Sequence, residues 1–299
     1  MIQPILPMLA TSAQPFDSDE YVFEVKWDGV RALAAVDQGQ WRLWGRQRAS
    51  YDGRYPELEV LRRLPAGTVV DGELVVFQDG RPDLHAILRR HQLVHPTRIR
   101  HASAQVPVHY LLFDILYHRG RSLLQEPWQR RRAVLADVVA AIDEPQLAFS
   151  AALAGPSQDV LARVVAQGHE GIMAKHRSSR YLPGQRSAAW RKIKPVQVLP
   201  CVIIGYTPSA QGIGSLLVAS AHQGPLRYVG QVSSGLSEQL KRDLGARLAR
   251  RRRPQPVVAC RRSALWVKPD LYCQVRFLNG RGRGQLRSPC FVGLLKTPT

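Results

Sequence analysis

From Tyr21 to Trp27 apolar and polar residues alternate, so a strand there would show Phe23, Val25 and Trp27 on one face and Glu24 and Lys26 on the other. Similar β-patterned runs recur at Arg31–Val36, Trp41–Trp44, Val69–Phe77, Val108–Tyr117, Gly171–Lys175 and Ala189–Ile193. Between them, apolar spacing predicts helices over Pro56–Leu64, over Pro127–Ile142 with proline in the first turn, and over Gln158–Gln167. The last has Ser157 as its N-cap and Gly168 just past its end. Strands interleaved with amphipathic helices predict an α+β domain over residues 1–197.

After Lys194-Pro195-Val196-Gln197 the pattern changes to short β runs rich in glycine: Cys201–Thr207, Ser215–Ala221, Leu226–Gln231, Val257–Cys260 and Leu271–Phe277. One helix is predicted from Glu238 to about Arg252, capped by Ser237, with Leu240, Leu244 and Leu248 on one face. Five strands and one helix over residues 198–299 predict a small barrel of the OB type.

The 299 residues, 45% of them hydrophobic, are ample for two packed cores. No apolar run approaches the roughly 18 residues of a membrane-spanning helix. The first ten residues lack the layout of a signal peptide, so the expected compartment is the cytoplasm. Cys201, Cys260, Cys273 and Cys290 occur singly and read as reduced thiols. The net charge of +19 is uneven: residues 1–197 hold 26 Lys/Arg against 20 Asp/Glu, whereas residues 198–299 hold 16 against 3. A segment so poor in carboxylates calls for a polyanionic partner, nucleic acid or an anionic surface.

Lysine usage narrows the chemistry. The chain has 35 arginines and seven lysines, and four of the lysines, Lys26, Lys175, Lys192 and Lys194, fall in β-patterned segments. Arginine stays protonated and cannot act as a nucleophile, so a lysine retained at position 26 fits covalent catalysis. Asp71 and Glu73 share a face of one predicted strand, Lys192 and Lys194 of another, and Glu170 opens the segment that Lys175 closes. Carboxylates able to hold a hard cation beside lysines able to hold phosphates describe a Mg-nucleotide site. His91 and His95 are spaced for a helical pair, but no metal-ligand set is completed.

These segments, in this order, resemble the covalent nucleotidyltransferases, and within them the ATP-dependent DNA ligases, in particular the ligase domain of bacterial end-joining ligases. The resemblance rests on Glu24-Val-Lys26-Trp-Asp28-Gly29-Val-Arg31, Arg46, Asp71-Gly72-Glu73-Leu74-Val75, Phe113-Asp114-Ile115-Leu116-Tyr117, Glu170-Gly171-Ile172-Met173-Ala174-Lys175 and Trp190-Arg191-Lys192-Ile193-Lys194-Pro195. It implies a nucleotidyltransferase domain of ATP-grasp-like antiparallel sheets with helices, followed by a C-terminal OB-fold β-barrel. It further implies that Lys26 takes AMP from ATP, that Glu24 contacts the adenine edge and that Phe113 stacks on the ring. Arg31 and Arg46 would contact the ribose and the DNA phosphate, Glu73 the ribose or metal, and Glu170 the metal, Mg2+ or Mn2+. Lys175, Lys192 and Lys194 would hold the α-phosphate. Duplex DNA with nicks or ends is the implied substrate, with Arg46, Arg250, Arg251, Arg252, Arg253 and Arg287 as candidate DNA contacts. Ku or a repair polymerase are candidate partners of a monomeric, nucleoid-associated enzyme.

Departures cluster towards the C-terminus. Where the family carries an Arg-x-Asp-Lys element, this chain reads Leu295-Lys296-Thr297-Pro298, so slow self-adenylation is expected. Arg48 also stands where the family has glycine, and Lys268 where it has an acid. Two alternatives stay open: an RNA ligase or capping-type nucleotidyltransferase, and a catalytically impaired nucleic-acid-binding relative.

Overall fold

The structure, a computed structural model, describes residues 3–210, 212–221, 224–278 and 285–295. The chain divides into two compact units, Met1–Lys194 and Pro195–Thr299.

Two sheets build the first unit. One runs Leu9–Ser12, Arg186–Ile193, Ile172–His176, Tyr21–Val25, Ala152–Leu153; the other runs Leu147–Phe149, His109–His118, Thr68–Val75, Val30–Asp37, Gln40–Trp44, with Arg121–Ser122 beside His109–His118. Pairing is antiparallel except at one edge of each sheet, where Leu9–Ser12 and Leu147–Phe149 run parallel to their neighbours. Val30–Asp37 is buried on both sides, which is why its sequence lacks alternation. Ala32, Ala34 and Val36 join a core with Leu58, Leu61, Ile87, Leu135 and Ile142, while Leu33 and Ala35 join Met8, Trp128, Tyr181 and Trp190. The outer face of the first sheet packs Phe23, Ile172, Ala174 and Ile193 on Val160, Leu161 and Val164 of the helix Ser157–Ala166. Each such aliphatic side chain contributes roughly 1.5–3 kcal/mol on burial.

Several local expectations change. Pro56–Arg63 is a 3-10 helix broken at Leu58. Pro127 precedes its helix, Trp128–Ile142, instead of lying in the first turn. Ser157 is not an N-cap: it is the first helical residue, and its N–H donates to Asp17 Oδ1 at 2.7 Å, a distant carboxylate capping in its place. Gly168 ends that helix with φ +88°, its N–H on Val165 O at 2.9 Å. Helices at Leu84–His91 and Pro96–Gln105 were not predicted; His91 closes one and His95 precedes the other, so the two do not share a helix face. Their sequences are weakly apolar, burying only Ala86, Ile87, Arg90 and Ile99. Arg48 adopts φ +60° in the turn after Gly45, a left-handed conformation costing an L-residue about 1–2 kcal/mol.

The second unit is a six-stranded antiparallel sheet ordered Arg227–Val232, Gly212–Ser220, Val196–Ser209, Tyr272–Leu278, Arg287–Leu295, with Leu265–Trp266 also on Val196–Ser209. Leu286 N–H donates to Val229 O at 2.7 Å and Phe291 N–H to Ser234 O at 2.9 Å, joining the last strand to the first as an OB-fold barrel. The helix Glu238–Ala249 begins at Ser237, whose Oγ accepts from Leu240 N at 3.3 Å, and its Leu244 and Leu248 enter the barrel core. It ends before the arginine run. Val257–Cys260 is not a strand: Pro254 and Pro256 remove ladder donors just ahead of it, and Val258 and Cys260 instead cover Val202, Ile204, Leu217 and Ala219. The strand Arg287–Leu295 was missed because its apolar residues are broken by Pro289 and Gly293.

Candidate active site

Three strands of the first sheet carry the site. Glu24 pairs in register with Met173, which pairs with Lys192; Lys175 pairs with Trp190. All five side chains turn away from the Phe23–Ile172–Ile193 core and line one pocket of about 770 Å³, together with Lys26, Trp27, Arg31, Arg46, Glu73, Phe113 and Arg186. Eight of the residues singled out from sequence, Glu24, Lys26, Arg31, Arg46, Glu73, Phe113, Lys175 and Lys192, thus meet in one place.

Lys26 lies one residue beyond its strand, its N–H on Gly171 O at 2.8 Å. That approach requires glycine at 171: φ is +149°, and a Cβ would lie 2.3 Å from Ile193 O. Because the strand stops at Val25, alternation fails at Trp27, which lines the pocket instead of joining Phe23; its Nε1 donates to Ser150 Oγ at 3.0 Å. Lys26 Nζ pairs with Glu170 Oε2, and Glu170 Oε1 takes Lys194, so these two residues join the site through Lys26. Burial works to raise the Glu170 carboxyl, but the two ammonium groups bring it below its usual value.

Glu24 is buried at 1% exposure between Arg132, on Oε1, and Lys175, 2.8 Å from Oε2. Burial holds its carboxyl above the usual value, although Lys175 and Arg132 pull it down. Lys175, expected at the α-phosphate, is committed here: it donates to Phe113 O at 3.0 Å and lies 4.5 Å from the Phe113 and Trp190 ring centroids. Arg31 likewise is engaged bidentately by Asp71 at 3.0 and 2.6 Å and donates to Met8 O at 2.8 Å. Arg46 is exposed at the pocket rim.

Around Lys192 the Lys26 and Lys194 ammonium groups and two arginines form a cluster of cations. Burial and the neighbouring Arg186, Lys194, Lys26 and Arg46 hold the Lys192 ammonium below its ordinary range. Like charges gathered this way stabilise a polyanion that enters among them. The cluster lies beside a buried carboxylate, Glu24, and an aromatic ring, Phe113. The sequence model described as ATP dependent DNA ligase domain matches residues 7–194, and that described as ATP dependent DNA ligase C terminal region matches residues 209–296.

The chain belongs to the ATP-dependent DNA ligase family.

It is 33% identical over 307 residues to the multifunctional non-homologous end joining DNA repair protein LigD of Mycobacterium tuberculosis, covering 97% of this chain and 38% of that one. It therefore spans about two fifths of that relative's length. The ligase domain of M. tuberculosis LigD superposes with a TM-score of 0.59 at 32% identity, covering 97% of this chain and 95% of that chain. A mycobacterial DNA ligase D complexed with ATP and MES gives a TM-score of 0.55 at 31% identity, with the same coverage.

Sequence reasoning missed Arg132, Arg186, Met173 and Trp190 as site residues. Trp190 stands in a quoted motif on the face of Lys192, a signal that could have found it. Arg132 belongs to the run Arg130-Arg131-Arg132 in an arginine-rich chain and carried no such signal. In the second unit, Arg250 and Arg252 are exposed past the helix end, Arg251 pairs with Asp270 at 3.0 Å and Arg252 donates to Tyr206 Oη at 3.2 Å. The side chain of Arg287, and Lys296, lie outside the described residues.

Glu73 yields a pH prediction. Burial pushes its carboxyl from an ordinary 4.5 up to about 7, against the pull of Lys26, Arg31 and Arg46. Between those values the folded chain keeps a proton that the unfolded chain releases, so stability falls as pH rises and the cost of ionisation is complete above about pH 7. Glu73→Gln should match wild type near pH 4 and exceed it at pH 8 by about 3 kcal/mol in urea unfolding. An equal difference at both pH values would contradict this.

Proposed function

We propose that this chain seals nicks or ends in duplex DNA, using ATP, through a covalent lysyl-adenylate on Lys26. The single observation that carries the reading is Lys26 placed in one pocket beside Glu170 and a cluster of cations around Lys192. Lys26 Nζ, once it has given up a proton, attacks the α-phosphorus of ATP; the new P–N bond forms as the bond to pyrophosphate breaks. Lys192, Lys194 and Arg186 stabilise the charge that develops on the phosphate. AMP then passes to the 5′-phosphate of the break, and the 3′-hydroxyl displaces it. In this reading Glu24 and Phe113 bind the base, Arg31, Arg46 and Glu73 the sugar and phosphate, and Lys175 acts through Glu24.

Mg2+ is held by one or two carboxylates plus substrate phosphates, a donor set that Glu73 and Glu170 supply around Lys26. Among the described residues no group of three or more His, Cys, Asp or Glu could hold an ion by itself. Bound there, Mg2+ or Mn2+ would neutralise phosphate charge.

The barrel, rich in arginine and nearly free of carboxylates, supplies duplex affinity through Arg250, Arg251, Arg252, Arg253 and Arg287. Double-strand-break end joining beside a Ku-type protein or a repair polymerase is the proposed setting, with the chain acting as a cytoplasmic, nucleoid-associated monomer. The test is sealing of a 5′-phosphorylated nick with ATP and Mg2+. Sealed duplex DNA is expected; sealing of nicked RNA but not DNA would replace this reading with an RNA ligase.

A further inference from the structure

Glu24 is a buried carboxylate with a cation on each oxygen. Lys175 reaches Oε2 from the adjacent strand. Arg132 reaches Oε1 from the helix Trp128–Ile142, on the far side of the pocket wall. Its guanidinium is fixed independently of Glu24: it lies 4.3 Å from the Phe149 ring centroid and 5.2 Å from that of Trp128, and it donates to Ser150 O at 3.0 Å. Ser150 Oγ in turn accepts from Trp27, the neighbour of Lys26, so one residue links this clamp to the reactive segment. A side chain so restrained is 14% exposed and spends its charge on Glu24.

We propose that Arg132 is a positioning residue that sets base selectivity: with Lys175 it holds Glu24 as an ionised, acceptor-only reader of the nucleobase. This inference rests on the ATP-dependent reading given above. A carboxylate clamped at both oxygens keeps its remaining lone pairs for a donor in the pocket. A 6-aminopurine presents N–H groups there. A 6-oxopurine presents an oxygen, which meets a negative charge, and a purine bare at position 6 offers the carboxylate no donor for its remaining lone pairs. Sites built around one hydrogen-bonding group reject analogues lacking it strongly. With Arg132 removed, burial favours the protonated acid, which can donate to a 6-oxo group. Selectivity then falls although Lys26 and the phosphate-binding cations are untouched.

The experiment measures covalent labelling of the full chain by α-labelled ATP, α-labelled GTP and the labelled triphosphate of purine riboside, for wild type, Arg132→Gln and Arg132→Lys. Wild type should prefer ATP to both analogues. Arg132→Gln should lose at least about tenfold of the ATP-to-GTP ratio, through a rise in KM for ATP and a fall for GTP, with Arg132→Lys restoring most of it. The loss in Arg132→Gln should shrink at higher pH, where Glu24 is again ionised. An active Arg132→Gln whose ATP-to-GTP ratio equals that of wild type overturns the inference. Should Arg132→Gln fail to fold, Arg132→Lys decides: its single ammonium should leave the ATP-to-GTP ratio about two- to threefold below wild type, and an unchanged ratio with slower labelling would mean a merely structural role. A wild type labelled by no nucleotide instead defeats the underlying reading.

Discussion

Lys26→Arg is expected to abolish covalent labelling by ATP and all sealing of ordinary nicks, with the melting temperature close to that of wild type. The ion pair with Glu170 survives in kind, because guanidinium also bonds a carboxylate, so packing and charge are nearly kept. Reactivity is not kept. Attack on phosphorus needs a free electron pair on nitrogen, and a guanidinium stays protonated at any pH the protein tolerates. Nicks that already carry AMP bypass the first step and should be sealed by the variant more readily than ordinary ones. Single-turnover assays on both substrates check this. Substantial sealing of ordinary nicks by Lys26→Arg would remove Lys26 as nucleophile.

The largest stability effect is expected away from the pocket's mouth, at Asp114. Asp114 and Arg131 are each 0% exposed and joined by two bonds of 2.7 and 2.8 Å; Arg131 also donates to Glu126 O and Ser179 O. Asp114→Ala strands a buried guanidinium, at a cost of about 3–5 kcal/mol. That is a large share of the roughly 5–15 kcal/mol that keeps a domain folded. Pairing it with Arg131→Met should recover part of the loss, since an apolar side chain leaves no buried charge. By contrast, breaking Arg121–Glu126, 70% and 23% exposed, should cost under about 1 kcal/mol. Urea unfolding of the three variants decides: a loss of under about 1 kcal/mol for Asp114→Ala would show that the pair contributes no more than a surface bridge.

What could be read before the structure follows from the range of the interactions involved. Glu24 with Lys26, and Lys192 with Lys194, are two residues apart at a strand's end, the second of each pair one position past it, so alternation carries just far enough to bring both lysines to the site, where Lys26 and Lys194 share Glu170. Trp27 escaped because the strand ends at Val25, and alternation holds only within a strand. Ser157 escaped because its cap is Asp17, 140 residues away. The helices Leu84–His91 and Pro96–Gln105 bury so few residues that their periodicity is faint. Arg132 is the instructive case: its partner Glu24 lies 108 residues distant, and one arginine among 35 carries no mark of its purpose until the fold brings the two together.

The most direct test of the central claim is to incubate the chain with α-labelled ATP and a divalent metal, isolate the protein, map the label, and then add unlabelled nicked duplex DNA. The account predicts label bound covalently to Lys26, absent when the label sits on the γ-phosphate, and lost from the protein on addition of the nick as sealed strands appear. Label on another residue, or label that stays on Lys26 while nicks remain open, would contradict it.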